Sequence, residues 1–357
     1  MFNIFVKLFL TVFIAAVLTP IVRRIAIKVG AVDDPNARRV NKIPIPTIGG
    51  LAIFIAFTFS TFVLLREQFP TPILYSIFLG EAIIIITGLL DDMIELSPWQ
   101  KLTGMLLAAL VIYYVAQIRI LTISLPWIGK INLGIWGLPL TILWILAITN
   151  AINLIDGLDG LATGVSLIAL LTMGLIAYFF LNVDNIDVPI MIFALVASLI
   201  GFLPYNFHPA SIFLGDTGSL FIGFMISVLS LQGLKNATVI SVVMPVLVLG
   251  VPITDTFYAI IRRLLNHRPI MEADKHHLHH RLMQMGLTHR QTVIAIYGIA
   301  LIFSLIALLL PLSSFWGSIA LTVAVLISLE IFVEEIGLIG PKRQPLLNLI
   351  RYIIHNK

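Results

Sequence analysis

Ten residues, NAINLIDGLD from Asn150 to Asp159, place Asn150, Asn153, Asp156 and Asp159 at intervals of three. On a helix that spacing groups neighbouring side chains, and Gly157 and Gly160 permit a break beside them. Four amide or carboxylate oxygens in ten residues, without a basic partner, are too dense to serve only as polar contacts between helices. A second set lies in GLLDDMIELSPWQK (88–101). Its adjacent acids, Asp91 and Asp92, suit a cation-bound diphosphate or a base for a phosphate nucleophile, and Lys101 would offset phosphate charge. The bland alternatives are two solvated acids and an anchoring lysine. NFHPASIFLGDTGSL (206–220) resembles a phosphate loop through Gly215 and Gly218 but lacks the P-loop lysine. It opens a helix, so its N–H groups are expected to face an anion while Asp216 holds a bridging cation. A simple helix cap would explain Asp216 but not Asn206 and Pro209.

ADKHHLHHRLMQMGLTHR (273–290) carries His276, His277, His279 and His280. HExxH is absent, and Lys275, Arg281 and imidazolium favour a diphosphate over zinc, with a solvated basic loop as the plain alternative. In RRVNKIPIPTIGGL (38–51), Lys42 is expected to touch a substrate phosphate unless the stretch is only a rigid turn. Asp255 is expected to pair with Arg262 or to join a local polar network.

The elements that must position these groups follow from composition. The chain has 357 residues, 59% of them hydrophobic and 11% charged, with a mean hydropathy of +1.05. Those values exclude a soluble globular enzyme, a disordered chain and a nucleic-acid-binding module. Zero cysteines exclude disulfides, thiolate catalysis and Cys-based metal sites. Apolar runs predict helices at 2–22, 48–65, 71–90, 102–117, 136–153, 160–181, 189–205, 214–233, 238–261, 291–310 and 315–334. The stretch 118–135 reads as a short non-spanning hairpin. The expected fold is therefore all-α: one polytopic membrane domain, 1–357, with about eleven transmembrane helices. Its N-terminus is outside, its C-terminus cytoplasmic, and 262–290 forms a cytoplasmic substrate-binding loop. Of the 22 Lys and Arg, only Lys7, Arg66, Arg119, Lys130 and Lys235 then fall outside, as the positive-inside rule requires. Every motif above falls at a cytoplasmic helix end.

PTIGGL, the GLLDD pair, NxxNLIDGLDGLA, NFxPAxIFLGDTGS and HHLHH, in that order, resemble the polyprenyl-phosphate N-acetylhexosamine-1-phosphate transferase family over nearly the whole chain. The resemblance implies Mg²⁺, with Mn²⁺ as a substitute, on Asn153 and Asp216. It makes Asp91, Asp92 and Asp156 the essential acids. Lys42, Lys101, His279 and His280 would surround the phosphates and Asn150 and Asn206 the uridine end, while Asp159, His277 and Arg281 complete the substrate-binding set. It implies a plasma-membrane enzyme in which undecaprenyl phosphate attacks the β-phosphorus of UDP-N-acetylglucosamine and UMP leaves. Partners would be those substrates, membrane lipid and a second copy in a homodimer, with no nucleic acid. Leu278 interrupts the histidines and Arg281 follows them, which resembles the N-acetylglucosamine branch. LMQMGLTHRQ resembles the enzymes that begin the teichoic acid linkage unit. The alternatives are a muramoyl-pentapeptide donor, a membrane prenyltransferase, whose paired Asp-rich motifs GDTGS does not match, and a transporter or flippase, which would need polar residues through the bilayer midplane.

Overall fold

The computed structural model describes residues 2–33, 44–125, 129–180, 187–233, 239–269, 274, 276–340 and 344–355. The order begins α1 Phe2–Val29, β1 Val32–Asp33, β2 Ile45–Pro46, α2 Gly50–Phe59, α3 Thr71–Ile94, α4 Pro98–Tyr114, β3 Thr122–Leu125 and β4 Gly129–Asn132. It continues with α5 Gly137–Ile155, α6 Leu161–Phe179, α7 Asp187–Asn206, α8 Gly215–Gly233, α9 Val239–Val248 and α10 Gly250–Leu265. It ends with α11 Leu278–Gln284, α12 His289–Leu309, α13 Phe315–Ile336 and α14 Pro345–His355. Among the described residues, seven helices are long and apolar enough to cross a membrane. The chain is thus an all-α polytopic membrane protein.

Every expected apolar run is helical, but the boundaries move. α1 runs past Arg23 and Arg24 to Val29, the run at 238–261 divides into α9 and α10 at Leu249, and α11 and α14 were not anticipated. The hairpin expected in 118–135 is present, with β3 antiparallel to β4 and Thr122 opposite Asn132.

The centre of the bundle is α8, whose Leu220, Phe221, Phe224 and Met225 are fully buried. Small residues let its neighbours reach its first turn. A Cβ on Gly50 of α2 would lie 2.0 Å from the Cα of Gly218, and one on Gly88 of α3 would lie 2.5 Å from the Cα of Thr217. No side chain fits at either approach. Backbone pairing adds to this: Gly49 N–H donates to Phe213 O at 3.0 Å, Gly50 N–H to Leu214 O at 2.9 Å, and Phe213 N–H to Pro46 O at 2.8 Å. The PTIGGL string therefore clamps the loop that leads into α8. By contrast α1 and α13 expose Phe5, Phe9, Phe13, Trp316 and Leu326, surface that suits lipid tails.

Candidate functional site

The C-terminal ends of α3, α5 and α7 and the N-terminal ends of α2, α8 and α12 meet around one cavity of about 650 Å³. Asn153 and Asp156 project from the end of α5, and α8 begins opposite with Gly215 and Asp216. α5 stops at Ile155, Asp156 occupies its C-cap, and Gly160 at φ +76° reverses the chain into α6. This break, rather than a continuous helix, puts Asp156 and Asp159 on the wall. Gly157 leaves room for the His279 imidazole, since a Cβ on it would lie 2.5 Å from His279 Nε2.

Asp216 is the hub. Its Oδ2 accepts from Lys101 Nζ at 2.9 Å, and its Oδ1 accepts from Asn153 Nδ2. Asn153 Nδ2 also donates to Ser219 Oγ at 2.8 Å. Lys101 sits in the first turn of α4, started by a Ser97–Gln100 capping box, and its Nζ lies 2.5 Å from Asp91 Oδ2. Asp91 is buried and its other oxygen accepts from Leu96 N–H at 2.9 Å. Asp92 caps α8 from another helix. Its Oδ1 accepts from Asp216 N–H at 2.9 Å, and its Oδ2 accepts from Thr217 N–H at 2.9 Å and Thr217 Oγ at 2.6 Å. The expectation that the α8 amides are free to face an anion is corrected, since two of them are satisfied by a carboxylate.

The wall is strongly acidic. Desolvation, with Asp216, Asp92 and Asp159 nearby, pushes the Asp156 carboxyl well above the usual carboxylate range. Acids that cannot all ionise together are an unfilled charge demand for a cation. The donors fit a hard one: Asp156 and Asp216 offer carboxylate oxygens, and turning the Asn153 carboxamide over puts its oxygen where its nitrogen now sits.

The histidine motif divides in two. Asp255 Oδ2 takes His277 Nδ1 at 2.9 Å, and its Oδ1 accepts from Leu278 N–H at 2.8 Å. Asp255 thus caps α11, and the expected pairing with Arg262 is replaced. Arg262 instead binds Asp274 through Nε at 2.9 Å, which holds the Asp274 carboxyl down at about 2 against its burial. Of His276, His277, His279 and His280, the last two reach the cavity. Burial, then His280, hold the His279 imidazole down at about 3, so it is neutral near pH 7.

Of the residues expected from sequence, Asp92, Asn153, Asp156, Asp159, Asn206, Asp216, His279 and His280 line the cavity. Asp91 and Lys101 stand behind Asp216 rather than on the wall. Asn206 is buried and ties the chain, accepting from Thr163 Oγ at 2.7 Å and donating to Ile212 O at 3.1 Å. Three expected residues lie off the wall. Asn150 is exposed one turn below Asn153 and off the wall, His277 is consumed by Asp255, and Arg281 leans on Gln284 at 3.4 Å outside the cavity. Lys42 and Lys275 lie outside the described residues. Asp33, His208 and His289 were missed. His208 Nδ1 lies 2.8 Å from Asp159 Oδ2, and the Asp159 N–H donates to His289 Nε2 at 3.0 Å. The two imidazoles stack with centroids 4.3 Å apart. The signal was available: His208 lies between Asn206 and Asp216 in one motif, and Thr288–Gln291 form a capping box that starts α12 at His289.

Comparison with known proteins gives concordant matches. Residues 74–234 match the description of Glycosyl transferase family 4. The chain is 44% identical to a probable undecaprenyl-phosphate N-acetylglucosaminyl 1-phosphate transferase of Bacillus subtilis, over 99% of this chain and 98% of that one. It is 37% identical to the decaprenyl-phosphate N-acetylglucosaminephosphotransferase of Mycolicibacterium smegmatis over 77% and 74% of the two chains. An undecaprenyl-phosphate alpha-N-acetylglucosaminyl 1-phosphate transferase of Yersinia pestis is 29% identical over 81% and 79%.

Proposed function

The chain belongs to glycosyl transferase family 4, and from that premise we propose that it transfers N-acetylglucosamine-1-phosphate from UDP-N-acetylglucosamine to undecaprenyl phosphate with release of UMP. The observation that carries the proposal is the acidic cavity where Asn153, Asp156 and Asp216 converge at one end of a membrane bundle. One substrate is a lipid and the other a nucleotide, so they can meet only where membrane helix ends open to water. Bound Mg²⁺ supplies charge neutralisation of the diphosphate. Asp216, Asn153 and Asp156 are the residues that would hold it.

The protein's own groups do the rest by positioning and electrostatics. Asp92 fixes the first turn of α8 and therefore the Asp216 carboxylate. Lys101 spans Asp91 and Asp216 and prevents their mutual repulsion from splaying α3 from α8. A phosphomonoester acceptor is already largely dianionic at pH 7, so the attacking oxygen needs no strong base. In this reading Asp91 and Asp92 are positioning residues, and Asp156 is the acid left facing the reacting phosphates. His279, a neutral imidazole near pH 7, and His280 approach the same space as donors to phosphate oxygens, and residues 262–290 act as the substrate-binding segment.

The finer reading has eleven spans, the N-terminus outside, the C-terminus and cavity facing the cytoplasm, and a pathway leading to a teichoic acid-type polymer. The donor is tested by offering purified protein UDP-N-acetylglucosamine or the UDP-muramoyl-pentapeptide, each with undecaprenyl phosphate and Mg²⁺. Lipid-linked product from the first donor alone is expected. Product from the second alone would overturn the donor while leaving the reaction class intact.

A further inference from the structure

The sequence PLLNLIRYIIH forms α14, eleven residues and about 16 Å long at 1.5 Å per residue, too short to cross a bilayer. Its residues divide sharply by face. Leu346, Leu349 and Ile353 recur at i, i+3 and i+7, Asn348 and Arg351 fall on the opposite side, and Tyr352 lies on the flank between the two. Leu349 is 54% exposed, Tyr352 67% and Ile353 53%, so the described protein does not cover this stripe.

The helix is nevertheless tied down at its start. Glu334, near the end of α13 and buried, accepts from Leu346 N–H at 2.9 Å and Leu347 N–H at 2.7 Å. Both of its oxygens therefore cap α14. Gln344 Nε2 adds a bond to Glu334 O at 3.0 Å. Gly337 at φ +70° ends α13 and turns the chain. α13 is an apolar helix long enough to span and exposes Val323, Leu326 and Ile327 along its length. α14 thus starts where a lipid-facing helix stops, at the level of the membrane boundary. Arg351 and, in sequence, Lys342, Arg343 and Lys357 give the segment a basic bias.

We propose that α14 is an interfacial helix seated in the surface of an anionic bilayer, with Leu349 and Ile353 in the headgroup–acyl boundary, Tyr352 at the headgroup edge, and Asn348 and Arg351 toward water. Such a helix lies in the membrane plane with its apolar stripe about 5–10 Å into the boundary. Continuity with α13 and charge complementarity to acidic headgroups select lipid as the occupant over a second copy of the chain. The seat also has a structural consequence: Arg262 Nη1 donates to Leu338 O at 2.5 Å, between the two helices, while its Nε holds Asp274 just before the histidines. Arg262 therefore links the turn that precedes α14 to the residue that leads into the histidine segment.

The chain has no cysteine, so single labels are clean. Leu349→Cys, Ile353→Cys, Asn348→Cys and Arg351→Cys are spin-labelled in the full-length protein in nanodiscs containing phosphatidylglycerol. Power saturation is then measured with oxygen and with a water-soluble nickel chelate. Loss of nickel relaxation at 349 and 353, with strong nickel relaxation at 348 and 351, is the expected result. Equal nickel access at all four positions would overturn the proposal. So would shielding at 349 and 353 accompanied by spin–spin broadening that disappears on dilution with unlabelled protein, because a second copy would then be the cover.

Discussion

Asp92 and Asp216 are both aspartates at helix ends, yet their surroundings give them different work. The Asp216 carboxylate faces the cavity and offers oxygen to a cation, so Asp216→Ala is expected to remove Mg²⁺-dependent turnover by roughly 10²-fold or more in a protein that still folds. Asn153→Ala should behave alike. UMP release across a Mg²⁺ titration checks both. Asp92 accepts three hydrogen bonds from α8, so Asp92→Ala uncaps that helix at a cost of about 1–2 kcal/mol. It also shifts Asp216, which raises the Mg²⁺ needed for half-maximal rate. Asp92→Asn keeps one acceptor oxygen and should recover much of the rate. A base would not be rescued that way, so the Ala and Asn pair separates the two roles.

These distinctions were only partly legible in the sequence. Asn153, Asp156 and Asp216 could be read because oxygen-bearing residues beside glycines at helix ends have few structural uses. Asn150 misled because each i, i+3 step rotates a side chain by about 60° around the helix, and one turn below Asn153 it leaves the wall. The Lys101 bridge joins residues 115 positions apart, and no local pattern announces it.

Among the elements, α11 depends on one acid from α10. Asp255 caps α11 and orients His277, so Asp255→Ala should loosen His279 and His280 and raise the donor KM with a smaller change in kcat. Steady-state kinetics resolve that split. The same element sets a pH dependence. The His279 pKa falls from its ordinary 6.5 to about 3 on folding, so the unfolded chain binds the extra proton between those values. Its contribution is complete above pH 6.5 and drains as pH falls toward 3, at up to about 1.4 kcal/mol per pH unit. Asp274 has the same sign in a lower window: its depressed pKa stabilises the fold fully above about 3.8, and that contribution is lost as pH falls from there through about 2. Thermal melts of detergent-solubilised protein should therefore drop between pH 7 and pH 4.5, and His279→Gln should flatten that drop. An unchanged slope in the variant would assign the acid sensitivity elsewhere. α11 could not be foreseen from periodicity, since seven residues are too few to stand without the tertiary cap that Asp255 supplies.

At the scale of the whole molecule, the bundle brings helix ends from across the chain to one acidic hollow, and glycines set how tightly they meet. Gly50→Leu or Gly88→Leu would force α2 or α3 away from the first turn of α8. A loss of about 1–3 kcal/mol, with activity falling further than stability, is expected. Melting temperature and UMP release measured on the same preparations check it. The membrane architecture was legible because hydrophobic runs of span length have few other uses. The break between α9 and α10 was not, because Leu249 interrupts the helix without leaving the apolar pattern.

The central claim is that a sugar phosphate, rather than a sugar, leaves the nucleotide at this cavity. It is tested most directly by incubating purified protein with undecaprenyl phosphate and UDP-N-acetylglucosamine labelled in the uridine and the sugar, with Mg²⁺ or with EDTA, and identifying both products. The account predicts UMP and a lipid-linked N-acetylglucosamine diphosphate in equal amounts with Mg²⁺ and neither with EDTA, and Asp216→Ala should abolish both. Release of UDP with a lipid-linked monophosphate sugar, or full UMP release in EDTA, would contradict it.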